Sequence, residues 1–268
     1  MRLALLLGFL VGCAGADAMT SQQPVAAPAA PEPQDTLGLH PGEQMAFEVH
    51  LAGVLAGEAQ LAVGQPGELD GRKVIVVKSR AATAGAAALV KQISDEATSV
   101  IDLETGRPIS LESLIVNSGK RTTASAKFAG GIAEVTYQRP TDAVPKTQKI
   151  NFGNVIVNDA HTAMAQLRGW KATKGAVRTV FVIGGRRLWR VDVTYAGEEE
   201  IGTALGNRRA IMFEGKSYRA KPNMTVESDK PARTFSVWLS DDADRVPLKV
   251  SAQTELGSIV MELTDYSR

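Results

Sequence analysis

The chain has 268 residues, enough for one large β domain or two small ones. Its 30 lysines and arginines face 29 aspartates and glutamates, and setting aside a leader that carries Arg2 balances the signs at 29 each, so no global field steers nucleic acid or an anionic bilayer. The one cysteine, Cys13, ends that leader, which excludes an internal disulfide and leaves the folded part without a thiol for metal or nucleophilic work.

Residues 1–12 place Arg2 before the apolar run Leu3–Val11, too short to span a bilayer and the right length for the core of a secretory signal. The string Leu10-Val11-Gly12-Cys13 resembles the bacterial lipobox, which implies that Cys13 becomes a diacylglycerol-bearing mature N-terminus. Two or three acyl chains anchor far better than one. Ala14 rather than an aspartate follows, which by resemblance to enterobacterial sorting implies an outer-membrane lipoprotein facing the periplasm. The alternative is an ordinary cleaved signal, with small residues at Ala14 and Ala16 or at Ala16 and Ala18, and a soluble periplasmic or secreted product. Residues 13–38 then read as the acylated cysteine and a tether, because Pro24, Pro28, Pro31 and Pro33 keep a stretch of Ala, Gln and Ser extended.

A single antiparallel β domain is expected over residues 39–268. Phe47, Val49 and Leu51 alternate with polar neighbours, as do Ala59, Leu61 and Val63, which is the period-2 mark of strands with one buried face. Lys73–Ser79 is apolar on both faces and reads as a central strand. Ala86–Val90 reads as one helical turn, and strands follow through Glu96–Asp102 and Leu111–Val116. Gly130-Gly131 joins Thr122–Phe128 to Ile132–Tyr137 as a hairpin. Thr141–Pro145 is a loop. Asn158 or Asp159 caps the one principal helix, whose Ala160, Ala163, Met164, Leu167 and Trp170 form a core-facing stripe.

The second half repeats the hairpin pattern. Val177–Ile183 and Leu188–Tyr195 flank Gly184-Gly185, and Glu198–Thr203 and Arg208–Phe213 flank Leu205-Gly206-Asn207. Phe235, Val237 and Leu239 share one face, Asp241 to Asp244 break the pattern as a turn, and Leu248, Val250 and Ala252 resume it. About a dozen strands and one short helix predict a mainly β fold, either a large curved antiparallel sheet or a sandwich or barrel-like domain.

Several strings together resemble a bacterial envelope family, domain of unknown function 3108. They are Phe47–Val63 with Ala56-Gly57-Glu58-Ala59, then Asp159–Trp170, Glu200–Arg209, Trp238-Leu239-Ser240-Asp241-Asp242 and Arg245-Val246-Pro247-Leu248. The resemblance covers roughly residue 39 to the C-terminus. It implies a secreted or lipid-anchored β protein and supplies no catalytic residues. Trp170, Trp238, Asp241 and Arg245 are the family-motif or ligand-facing candidates it leaves.

Chemistry is sparse. His40, His50 and His161 share no ligand spacing, so no metal is expected, and without a Gly-x-Ser-x-Gly elbow His161 pairs with a serine and an aspartate only through the fold. An EF-hand loop begun at Asp242 would meet Pro247 and Gln253 where glycine and glutamate are required. The Arg186–Arg187 and Arg208–Arg209 pairs read as solvated turn residues, and no nucleotide fingerprint or base-stacking platform occurs. The expectation is a monomeric, non-catalytic envelope protein without cofactor or nucleic acid. It would bind an apolar or amphipathic, lipid-like ligand in the concave face of its sheet. The alternative is a structural module docking on another envelope protein by a strand edge, and a hydrolase ranks third.

Overall fold

The computed structural model describes residues 37–254 and 257–268. The leader, Cys13 and all but the last two residues of the tether lie outside them. Among the described residues, sixteen strands form one sheet. In chain order they are β1 (Gln44–Leu51), β2 (Val54–Val63), β3 (Gly67–Leu69), β4 (Arg72–Thr83), β5 (Ile93–Asp102), β6 (Pro108–Asn117), β7 (Lys120–Ala129), β8 (Ile132–Gln138), β9 (Lys146–Asn151), β10 (Val157–Asp159), β11 (Val177–Gly184), β12 (Arg187–Thr203), β13 (Gly206–Ala220), β14 (Arg233–Ser240), β15 (Pro247–Thr254) and β16 (Gly257–Ser267). Helix α1 (Gly85–Val90) lies between β4 and β5, and α2 (Ala160–Gly169) between β10 and β11.

The sheet runs β10-β11-β12-β13-β14-β15-β16-β1-β2-β4-β5-β6-β7-β8-β9, with β3 hung on β4. Every pairing is antiparallel except β10 with β11. The expected curved antiparallel fold is present, and its ends do not pair. The strands exceed the expected dozen in part because β3 and β10, three residues each, are too short to show a period, and because β9 buries only Ile150 among polar neighbours and so shows no alternation. The two segments expected either side of residue 196 are one strand. β12 runs for 17 residues, and a bulge between Tyr195 and Gly197, where Gly197 takes φ +139°, absorbs the break in alternation.

The sheet is rolled like a scroll. Val182 and Trp189 belong to the main apolar cluster, whereas Ile183 and Leu188 belong to a second one with Leu111, Ala126, Ala133, Val135 and Ile150 of β6–β9. Successive strand residues point to opposite faces. The two clusters therefore lie on opposite faces of β11–β12, and the β10–β12 end is tucked inside β6–β9. Gln148 Nε2 donates to the Arg186 carbonyl at 2.7 Å and the Arg186 guanidinium lies 5.4 Å from the Tyr137 ring, which pins the overlap. The opposite face of β11–β12 meets α2.

Candidate functional site

Helix α2 occupies the concave face, and its start is fixed locally. Asp159 accepts from the Thr162 backbone N–H at 2.8 Å, and the Thr162 hydroxyl takes the Asp159 N–H at 2.8 Å, a reciprocal capping box. The helix is buried on more than its predicted stripe. Ala163, Leu167 and Trp170 are buried, but so are His161, Thr162, Ala165 and Arg168 on the other sides. A ten-residue helix is marginal alone and takes its stability from this enclosure.

On one side α2 leaves an apolar crevice against the inner face of β11, β12 and β14. It is lined by Ala163, Leu167, Val180, Val191, Val193 and Phe235, with Gln166 and Arg178 as its polar members. Trp170 closes one wall by stacking on Phe213 at 5.6 Å, and Arg178 covers the indole at 4.6 Å. Phe235 lies flat because Gly215 lies beneath it: a Cβ there would come within 2.1 Å of the ring. The free volume is about 30 Å³, room for one or two waters.

A second side of α2 is polar. His161 bridges two strands, with Nδ1 2.6 Å from the Ser99 hydroxyl of β5 and Nε2 2.9 Å from the Ser79 hydroxyl of β4. A neutral imidazole, donating from one nitrogen and accepting at the other, satisfies both contacts. Burial holds the His161 pKa below its ordinary 6.5, against the opposing pull of Asp159. Among the described residues Asp159 Oδ2 has no hydrogen-bond partner and both ring nitrogens are occupied by serines, so the three residue types do not form the Asp-His-Ser relay of a hydrolase. Exposures of 3% for His161, 0% for Ser99 and 6% for Ser79 seal the group from substrate.

A third contact ties down the helix C-terminus. Arg168 Nη1 and Nη2 donate to the two carboxylate oxygens of Glu43 at 2.5 and 2.9 Å, and both side chains are buried. Arg168 also donates to the carbonyls of Asp244 at 2.9 Å and Arg245 at 3.1 Å. Gly38 donates to the Ala165 carbonyl at 2.9 Å and packs where a Cβ would come within 2.4 Å of Arg168 Cβ. The segment 37–43 is thus a strap holding α2 in the roll. Among the described residues, no group of three or more His, Cys, Asp or Glu is placed to hold a metal.

The candidates named from sequence do not converge. Trp170 borders the crevice. Trp238 lies on the other face of β14 from buried Val237 and Leu239, donating to Glu199 at 2.5 Å with Lys249 Nζ 5.8 Å from its ring. Asp241 pairs with Arg209 at 2.7 Å in the β14–β15 turn. Arg245 meets the helix through its carbonyl, which accepts from Arg168, and its backbone lies at φ +48°. Sequence reasoning missed Ser79, Ser99, Glu43 and Arg168. The two serines had a signal: each interrupts an inward apolar series, Val77-Ser79-Ala81 and Ala97-Ser99-Ile101.

Comparison with known proteins adds fold and family. A beta-barrel-like protein of the domain of unknown function DUF1849 from Brucella abortus is similar in structure, with TM-score 0.54, 11% identity, and 87% of this chain and 98% of that chain covered. Lesser likenesses are the Mycobacterium tuberculosis lipoprotein LppX (TM-score 0.26, 11% identity, 83% and 85% covered) and the hypothetical lipoprotein YmcC from Escherichia coli (TM-score 0.29, 7% identity, 85% and 86% covered). No curated protein matches the sequence. Residues 46–264 match the family described as protein of unknown function DUF3108, and the chain belongs to that family.

Proposed function

We propose that the protein is a non-catalytic bacterial envelope lipoprotein, anchored through Cys13 in the outer membrane and facing the periplasm, that takes an apolar or amphipathic ligand between α2 and the inner face of β11–β12. The observation that carries this reading is the crevice: nearly all its lining is aliphatic or aromatic, and the guanidinium of Arg178 stands at its border, where an anionic head would lie. At about 30 Å³ the crevice admits an acyl chain only when α2 swings outward. The strap at 37–43 and the Arg168–Glu43 pair set how readily it does so. A strand-edge docking role is supported less well, because the terminal strand β9 carries Lys146 and Lys149, the kind of charge that blocks edge pairing.

Val180 is half-buried on the crevice wall, so Val180→Asp places a carboxylate among the apolar groups without emptying the core. Titrating a fluorescent fatty-acyl probe is expected to show binding weakened at least tenfold by V180D and unchanged by Val177→Asp at exposed Val177. Equal binding by the two variants would remove the crevice as the site.

A further inference from the structure

One end of the sheet gathers the β1–β2 turn, α1 and the β6–β7 turn. Ala84 N–H bonds the Ala56 carbonyl at 3.1 Å, and Ser118 N–H bonds the Gln92 carbonyl at 2.8 Å, so the three connections are stitched side by side. The strap, the β5–β6 turn and the β14–β15 turn close on α2 at the other end, where Gln166 donates to the Gly106 carbonyl and Arg168 to those of Asp244 and Arg245.

Helix α1 has the sequence Gly-Ala-Ala-Ala-Leu-Val, no side-chain cap and no buried residue. Leu89 is 90% exposed and Val90 85%, and Val54, two residues before the Ala56 contact, is 65% exposed. Single apolar side chains on a surface need no explanation, but a protruding turn that buries none of its own and joins a third does. Beside it, Lys120 and Arg121, which open β7 just after the β6–β7 turn, are exposed, and neither has an acidic partner among the described residues. The neighbouring acids of β5 are already placed: Asp95 is on the inner face with Ile93 and Ala97, and Glu96 pairs with Arg80 at 3.7 Å. An apolar tip flanked by unneutralised cations matches an interface of hydrocarbon under anionic headgroups.

We propose that this end docks on an anionic lipid bilayer, with Leu89 and Val90 entering the acyl boundary beside Val54 while Lys120 and Arg121 meet the phosphates. The inference stands apart from the ligand reading, since it needs neither the crevice nor an open α2.

The test uses the full chain with Leu89→Trp, compared with Leu205→Trp in the β12–β13 hairpin at the opposite end. Vesicles of phosphatidylglycerol with phosphatidylethanolamine are compared with phosphatidylcholine alone. With the anionic vesicles, L89W emission is expected to shift to shorter wavelength and to be quenched by brominated lipid several-fold more than L205W emission. Adding K120E and R121E should lower partitioning at least about twentyfold, roughly fivefold per charge. If the protein is acyl-anchored, both reporters share one vesicle and only local immersion separates them. If it is not, L89W must still respond to added anionic vesicles. An L89W emission that stays aqueous, or that responds alike to neutral vesicles and to the charge reversals, overturns the proposal.

Discussion

Arg168→Met is expected to destabilise the fold by about 3–5 kcal/mol, the usual cost of leaving one member of a buried ion pair without its partner. Glu43 is 0% exposed and its two oxygens are held by the two terminal nitrogens of Arg168, so the variant strands a carboxylate inside the roll. The remaining donors, the Tyr266 hydroxyl at 3.5 Å and the His40 N–H at 3.5 Å, are too distant to replace a bidentate guanidinium. The carbonyls of Asp244 and Arg245 lose their donor as well. Urea unfolding is the measurement, with the midpoint falling at unchanged slope. The double variant Arg168→Met with Glu43→Leu should recover most of the loss, because the penalty arises from the stranded charge. A single variant of wild-type stability would contradict the burial of this pair.

His161→Phe is expected to cost about 2–4 kcal/mol, since it leaves the Ser79 and Ser99 hydroxyls buried without their shared partner. His161→Gln should recover part of this, because an amide supplies both a donor and an acceptor. The pH dependence has a definite sign. A histidine held neutral has a folded pKa below its unfolded value. Its stabilisation is therefore complete above about pH 6.5 and declines as pH falls below that, because the unfolded chain takes up the proton first. Asp95 acts in the opposite direction. Burial, then the neighbouring Glu96, pushes its carboxyl up to about 7, so its contribution is complete below its unfolded value of 3.8 and is lost as pH rises towards 7. Comparing wild type with H161F at pH 5 and pH 8 isolates the histidine. The gap between the two proteins should be smaller at the lower pH, and an equal gap would show that His161 is not held neutral.

The strands with one clean buried face were legible because alternation reports burial directly. Phe235, Val237 and Leu239 are 4%, 0% and 0% exposed, matching the face assigned from their spacing. The helix was legible for the same local reason, and its cap was narrowed to Asn158 or Asp159, of which Asp159 is the one that caps. What failed depends on distance along the chain. Arg168 and Glu43 are 125 residues apart, and a charged residue alone reads as surface until the fold brings its partner. The scroll overlap was also invisible, because Ile183 and Leu188 face a second cluster built from β6–β9, and their period says only that both faces of β11–β12 are covered. The crevice had a partial signal in the stripe of α2, which fixed the apolar face of the helix without showing what lay opposite.

The most direct test of the ligand reading is native mass spectrometry of the protein purified from bacterial membranes, followed by solvent extraction. One stoichiometric lipid-like adduct that leaves on extraction is expected, on a chain whose N-terminus is diacylglyceryl-Cys13. An apoprotein that takes up no lipid when lipid is offered would contradict the ligand site, and an unmodified N-terminus beyond Cys13 would contradict the anchor.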